Sequence, residues 1–334
     1  MTAASTIYAL LDAARQALEA KDGESAQRLA GIVLAREPEH LEARHLSALA
    51  IYRLAFGDRP ELDSNSDDNR LGLHARAGNW HLALAITFEK GGQAELARLA
   101  YRTAALLDFH LLPEQRVGFG GPFNGQVLRT GAFRAIAASR RLAEVIETGT
   151  HRGTTSEFMA RHVACPVKTT EHNPYYFESS QLRFTELKAF GGAWAGNLQL
   201  FPLESRHFLA EMLRQPAPED DFSFFYLDAH GDYLEGRDIE NPLVGEVGLI
   251  RPARRHCIIM IDDFAVPDDP AYIACYGSSI VDLAPLVPSF DAWFFPQAAH
   301  HDTGALRGCV VLSGSRETTA LLGEVAELRF GGRA

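Results

Sequence analysis

The chain has 334 residues, more than a single domain usually holds, and 46% of them are hydrophobic, which excludes a disordered protein. A formal net charge of -11 with no basic run excludes a general nucleic-acid binder, because nothing is present to neutralise phosphates. Four scattered cysteines without a C-x-x-C pair exclude a disulfide framework or structural zinc, and no run of about 18 apolar residues exists to span a membrane. Asp12 and Arg15 break the first apolar stretch, so no signal peptide is expected either, and the composition points to a reduced, cytoplasmic protein.

Residues 1–112 read as an all-α domain. Ala26, Leu29, Ala30, Val33 and Leu34 fall at helical spacing on one stripe, with Gly23 ahead of it and Pro38 closing it. After the Gly91–Gly92 break the arrangement returns in Leu96, Leu99, Ala100 and Leu107. Aligning Ala26 with Ala97 sets Pro38 opposite Phe109, close to two units of the roughly 34-residue tetratricopeptide period. The segment "KDGESAQRLAGIVLAREPEHLEA" resembles a degenerate tetratricopeptide helix pair, and "GDRPELDSNSDDN" interrupts the next unit. Such helices either offer a concave face to a protein partner, cover one side of the following domain, or join two copies of the chain.

Residues 113–334 change period. "LAEVIETG", "CPVKTTE", "NLQLFP", "FSFFYLD", "RHCIIMIDD", "AWFFP" and "RGCVVLSG" are short apolar runs rich in β-branched and aromatic residues, with helix-compatible stretches between the first five. Alternation of this kind predicts a doubly wound, mostly parallel α/β sheet covered on both faces. Ligands then sit beyond the carboxyl ends of the strands, where strand order reverses. Acidic residues end four of the runs: Glu147, Glu171, Asp228 and the pair Asp262–Asp263.

"VIETGTHRGTTSEFMA" sets Glu147, Gly149 and Gly153 in a turn before a helix, where glycines allow close approach and Thr155 and Ser156 cap or begin the helix. Free N–H groups at such a helix start suit an anionic group. Glu171 follows Glu147 by 24 residues, and its two oxygens suit the paired hydroxyls of a ribose. The spacing is not the G-x-G-x-x-G of dinucleotide folds.

From about Phe123 to Gly314 the chain resembles class I S-adenosylmethionine-dependent methyltransferases, on "ETGTHRG" followed by "TEHNP". The resemblance implies a Rossmann-like fold in which Glu147, Gly149 and Gly153 cradle the methionine part of the cofactor and Glu171 holds its ribose. It also implies that Glu204 and Ser205, in "PLESRHFL", lie near the adenine.

"FFYLDAHGDY" and "IIMIDDF" bring Asp228, Asp262 and Asp263 to neighbouring strand ends, where three like charges need a cation and oxygen ligation suits magnesium, manganese or calcium, magnesium first. The pattern resembles metal-dependent O-methyltransferases, in which a divalent ion clamps the hydroxyls of the acceptor. Asp228 and His230 are then the catalytic candidates, with His230 taking the acceptor's proton. His300, His301 and Asp302 read as a pocket-rim loop, Tyr233, Phe264 and Tyr272 as acceptor-site wall or core, and "GGPFNGQVLRTGAF" as a segment folding across the cofactor mouth. The expected activity is metal-assisted O-methylation of a hydroxylated small molecule or sugar. A metal-dependent glycosyltransferase and an inert scaffold that binds partners through its helices stay open as alternatives.

Overall fold

The computed structural model describes residues 3–37, 40, 43, 46, 47, 50, 81–107, 120–214, 220–229, 242–274 and 278–333. The chain divides into two compact units, Met1–Leu111 and Leu112–Ala334. Among the described residues no helix is long and apolar enough to cross a membrane.

In the first unit, α1 (Ala3–Glu19) and α2 (Gly23–Arg36) form a hairpin whose turn is closed by Asp22 accepting from the Ser25 N–H. Its core joins Ile7, Leu11 and Ala14 to Ala30 and Val33, and of the stripe read on α2 Ala26, Ala30 and Val33 are buried while Leu29 and Leu34 are half-buried. A helical stretch at 81–90 (α3) and α4 (Ala94–Leu107) form a second pair across Gly91–Gly92, with Gly92 in the left-handed region. Here the expected stripe is displaced. Ala97, Ala100, Tyr101 and Ala104 are buried, whereas Leu96 and Leu99 are exposed. Tyr101 fixes this rotation by donating to Glu89 across the pair at 2.6 Å. Pro38, Phe109 and the "GDRPELDSNSDDN" loop, on which the repeat alignment leaned, lie outside the described residues.

The second unit begins with α5 (Val127–Ser139) and continues as β1 (Leu142–Thr148), α6 (Thr154–His162), β2 (Val167–Thr170), α7 (Pro174–Phe190), β3 (Leu198–Phe201) and α8 (Ser205–Met212). β4 (Phe222–Leu227), α9 (Pro242–Ala253) and β5 (His256–Asp262) follow, then β6 (Ala292–Pro296), β7 (Cys309–Ser313), α10 (Arg316–Gly323) and β8 (Leu328–Arg333). The sheet order is β3-β2-β1-β4-β5-β7-β6-β8. The first five strands are parallel, and β7 runs antiparallel between β5 and β6. Every residue of β4 and β5 is buried, as expected of strands covered on both faces.

All seven expected strands are present, and β8 is an eighth. Its sequence, LRFGGR, carries no apolar run because Gly331 and Gly332 lie against Trp293 and Phe295, where a Cβ would collide with the rings. Buried ion pairs join helix to helix and fasten the end of α9 to the sheet. Glu157 on α6 holds Arg183 on α7 at 2.6 Å, both fully buried, and Glu144 on β1 holds Arg254 at 2.6 Å.

Candidate active site

The chain winds outward from β1 through β2 and β3, then returns to lay β4 and β5 on the other side of β1. At such a switch point the loops leaving β1 and β4 part and open a crevice. A cavity of about 280 Å³ lies there, lined by Gly149 and His151 after β1, Glu171 and Asn173 after β2, and Tyr176 in the first turn of α7. Leu203 and Ser205 after β3, Asp228 and Ala229 after β4, and Asp263 after β5 complete it with Asn124 and Arg307.

The turn after β1 is shaped by its glycines. Gly149 has φ 86°, and a Cβ there would collide with the Asp228 carbonyl, so its absence lets the β1 and β4 loops close on each other. Gly153, with φ 73°, caps α6, and Phe184 fills the space a side chain would need. Of the pair, Gly149 lines the cavity and Gly153 packs beneath it.

Glu147 departs from its expected place. It lies opposite Thr169 of β2 and Tyr226 of β4 in the sheet and is not among the described lining residues. Its carboxyl accepts from Thr169 at 2.7 Å and from Ser156 on α6. Burial pushes its pKa up to about 7, although both hydroxyls pull it down. Glu147 therefore fastens the turn to β2 and α6 from inside, and Ser156 serves it instead of capping the helix.

Glu171 does face the cavity. Its Oε2 accepts the His151 N–H at 2.9 Å and its Oε1 the Asn173 N–H at 3.0 Å, which orients the carboxylate. Ionised oxygens accept more than one hydrogen bond each, so orientation leaves Glu171 able to take ligand hydroxyls. His151 packs its ring against Tyr176 at 4.7 Å, and burial, with Arg152, lowers its pKa to about 3, which keeps it neutral. Glu204 is spent on α8, where its carboxylate accepts the Arg206 and His207 N–H groups and pairs with the Arg206 guanidinium. Burial raises its pKa, but those partners win and the net shift is down. Ser205, not Glu204, lines the cavity.

The expected metal triad does not form. Asp262 is fully buried and ion-paired with Arg129 of α5 at 2.5 Å. It also accepts from Tyr226 at 2.7 Å, from Asn124 at 2.9 Å and from the Asp263 N–H at 2.6 Å. These donors occupy both oxygens, and Arg129 supplies the positive charge that a metal was expected to supply. Among the described residues no group of three potential metal ligands is found. Asp228 and Asp263 remain on the cavity. Burial and the neighbouring Asp262 raise both: Asp228 well above the usual range, Asp263 to about 7. His230, the expected base, and Tyr233 lie outside the described residues. Phe264 and Tyr272 are core, and Tyr272 donates to Asp302 and to the Gln297 carbonyl.

Sequence reasoning missed Arg129, Arg307 and Glu246. Glu246 on α9 is completely buried, and burial pushes it up to about 7; the hydroxyls of Ser205 and Thr148 face it and offset part of the shift without reaching hydrogen-bond geometry. The segment 120–133 was expected to fold across the mouth; of it Asn124 lines the cavity, and from Val127 on it is α5. Backbone strain collects at the same place. Asn124, His151 and Asp263 are three of the seven described non-glycine residues with left-handed φ, and all three line the cavity. Residues held in such conformations cost about 1–3 kcal/mol each and cluster at functional sites.

A doubly wound α/β unit with an acidic, polar cavity at its switch point is the class that fold and site define. No protein-family model matches the chain, and no curated protein matches it. Among solved structures it is similar to cofactor-bound Rv0187 from MTB, at 17% identity and TM-score 0.39 over 80% of this chain and 95% of that one. It is also similar to the O-methyltransferase TomG of Streptomyces achromogenes, involved in tomaymycin synthesis and solved with SAM: 16% identity, TM-score 0.39, 65% and 90% covered. An O-methyltransferase from Bacillus cereus in complex with SAH gives 14%, TM-score 0.37, 56% and 80%. Similarity at this level assigns no residue a role and no substrate to this chain.

Proposed function

We propose that residues 112–334 form an S-adenosylmethionine-dependent methyltransferase acting on a hydroxylated small molecule or sugar. The observation that supports it most is the meeting, in one switch-point cavity, of the Gly149 turn and the oriented Glu171 carboxylate with Asp228 and Asp263. Glu171 suits ribose hydroxyls, the Gly149–His151 turn the methionine part, and Ser205 the adenine end. The bound cofactor would supply an electrophilic methyl group. Asp228, on the cavity wall against the Gly149 turn, is the side chain to take the acceptor's proton. His230, two residues on, is the sequence's alternative for that proton. Metal assistance is not included, because Asp262 is committed to Arg129. The helix pairs of Met1–Leu111 are read as a tetratricopeptide-like surface for a partner or a second copy.

Calorimetric titration with S-adenosylmethionine, with and without magnesium, tests the proposal. Binding in both conditions is expected, and Glu171→Ala should weaken it by about tenfold or more, the loss expected for hydrogen bonds to a charged group. Absence of binding in both would favour the inert scaffold.

A further inference from the structure

One strong group on the cavity wall has no task in the proposed reaction. Arg307 is the only arginine or lysine among the described residues that line it. Its main chain is clamped: the N–H donates to Gln126 Oε1 at 3.1 Å, and the carbonyl accepts from Gln126 Nε2 at 3.0 Å and from Arg129. Its guanidinium is not. Among the described residues its one partner is Asp263 at 3.4 Å, beyond the usual range for such a bond, and the side chain is 26% exposed. Five N–H donors in a rigid fork match a carboxylate or phosphate two at a time, and a fixed main chain lowers the cost of presenting them.

Arg307 also stands beside the residues placed on the acceptor. Asp263 and Asn124 share its wall, and Asn124 is tied through its amide to Asp262 and through its carbonyl to the Ala305 N–H of the same loop. We infer that Arg307 selects acceptors carrying a carboxylate or phosphate besides the hydroxyl to be methylated. The inference rests on the methyltransferase reading and names the acceptor class within it. An incoming anion takes the guanidinium from Asp263 and sets the remainder of the molecule against Asp228.

The test uses the full-length chain saturated with S-adenosylhomocysteine and ligand-observed NMR on matched pairs: 3,4-dihydroxybenzoate against catechol, and glucose 6-phosphate against glucose. An anionic member should bind where its neutral counterpart does not, and which pair responds separates carboxylate from phosphate. Arg307→Gln should weaken that binding about tenfold or more while S-adenosylhomocysteine affinity stays within about twofold, and Arg307→Lys should recover part of it. Equal binding of neutral and anionic members, binding of none, or indifference to Arg307→Gln overturns the inference. So does loss of S-adenosylhomocysteine binding in Arg307→Gln with 5′-methylthioadenosine unaffected, which would place the guanidinium on the cofactor's own carboxylate. If the unaltered chain binds no S-adenosylhomocysteine, the methyltransferase reading itself has failed.

Discussion

Among the described residues neither Glu246 nor Glu147 has an ion-pair partner, and burial lifts each to about 7, Arg206 offsetting only part of the shift at Glu246. Their folded-state values exceed the ordinary carboxyl value, so the folded chain holds protons that the unfolded chain has lost. Stability from these groups is therefore complete below about pH 4.5 and declines as pH rises through about 7. Glu246→Gln keeps the shape and removes the titration. It should raise the midpoint of urea unfolding at pH 8, by an equivalent of roughly 3 kcal/mol at most. At pH 4.5 it should make little difference. An equal effect at both pH values would show that packing, not charge, sets the cost of Glu246.

At the scale of elements, α6 and α7 are joined by Glu157 and Arg183, both with no exposed surface. Removing one partner of such a pair costs about 3–5 kcal/mol when nothing else meets the buried charge, and the low end of that range here, because Arg161 still pairs with Glu157 at 2.8 Å. Arg183→Met should lose that much in denaturant unfolding, and the double variant with Glu157→Gln should recover a good part. Little of this pairing was legible beforehand. Strand runs such as FSFFYLD declare themselves because burial on both faces demands unbroken apolar sequence, and β8 did not because its glycines serve Trp293. The strand-end acids were equally visible. Their partners were not: Arg129 reaches Asp262 from a helix 133 positions earlier, and only the assembled fold shows that the cation is already part of the chain. The stripe on α4 was misplaced by one residue because small alanines, not leucines, permit close helix approach there.

For the whole molecule, the two compact units carry separate cores, and every described residue lining the cavity belongs to the second. A fragment of residues 112–334 should therefore unfold cooperatively and bind S-adenosylmethionine as the full chain does. A fragment that is molten, or that folds without binding, would show that the first unit completes the second.

The loop 302–308 grips residues 120–129 largely through main-chain groups: the carbonyls of Arg307 and Gly308 take Arg129, and the Ala305 N–H takes the Asn124 carbonyl. Only Asp302 and Thr303 contribute side chains, on the Leu128 N–H, Gln126 and the Gly125 carbonyl. Ala305 and Arg307 can then change their side chains without loosening the wall, whereas Gly304 and Gly308 have no room for a Cβ and a residue gained or lost would move every grip at once. Acceptor preference is thus free to drift by substitution at a fixed loop length, and insertions or deletions are the changes this site tolerates least.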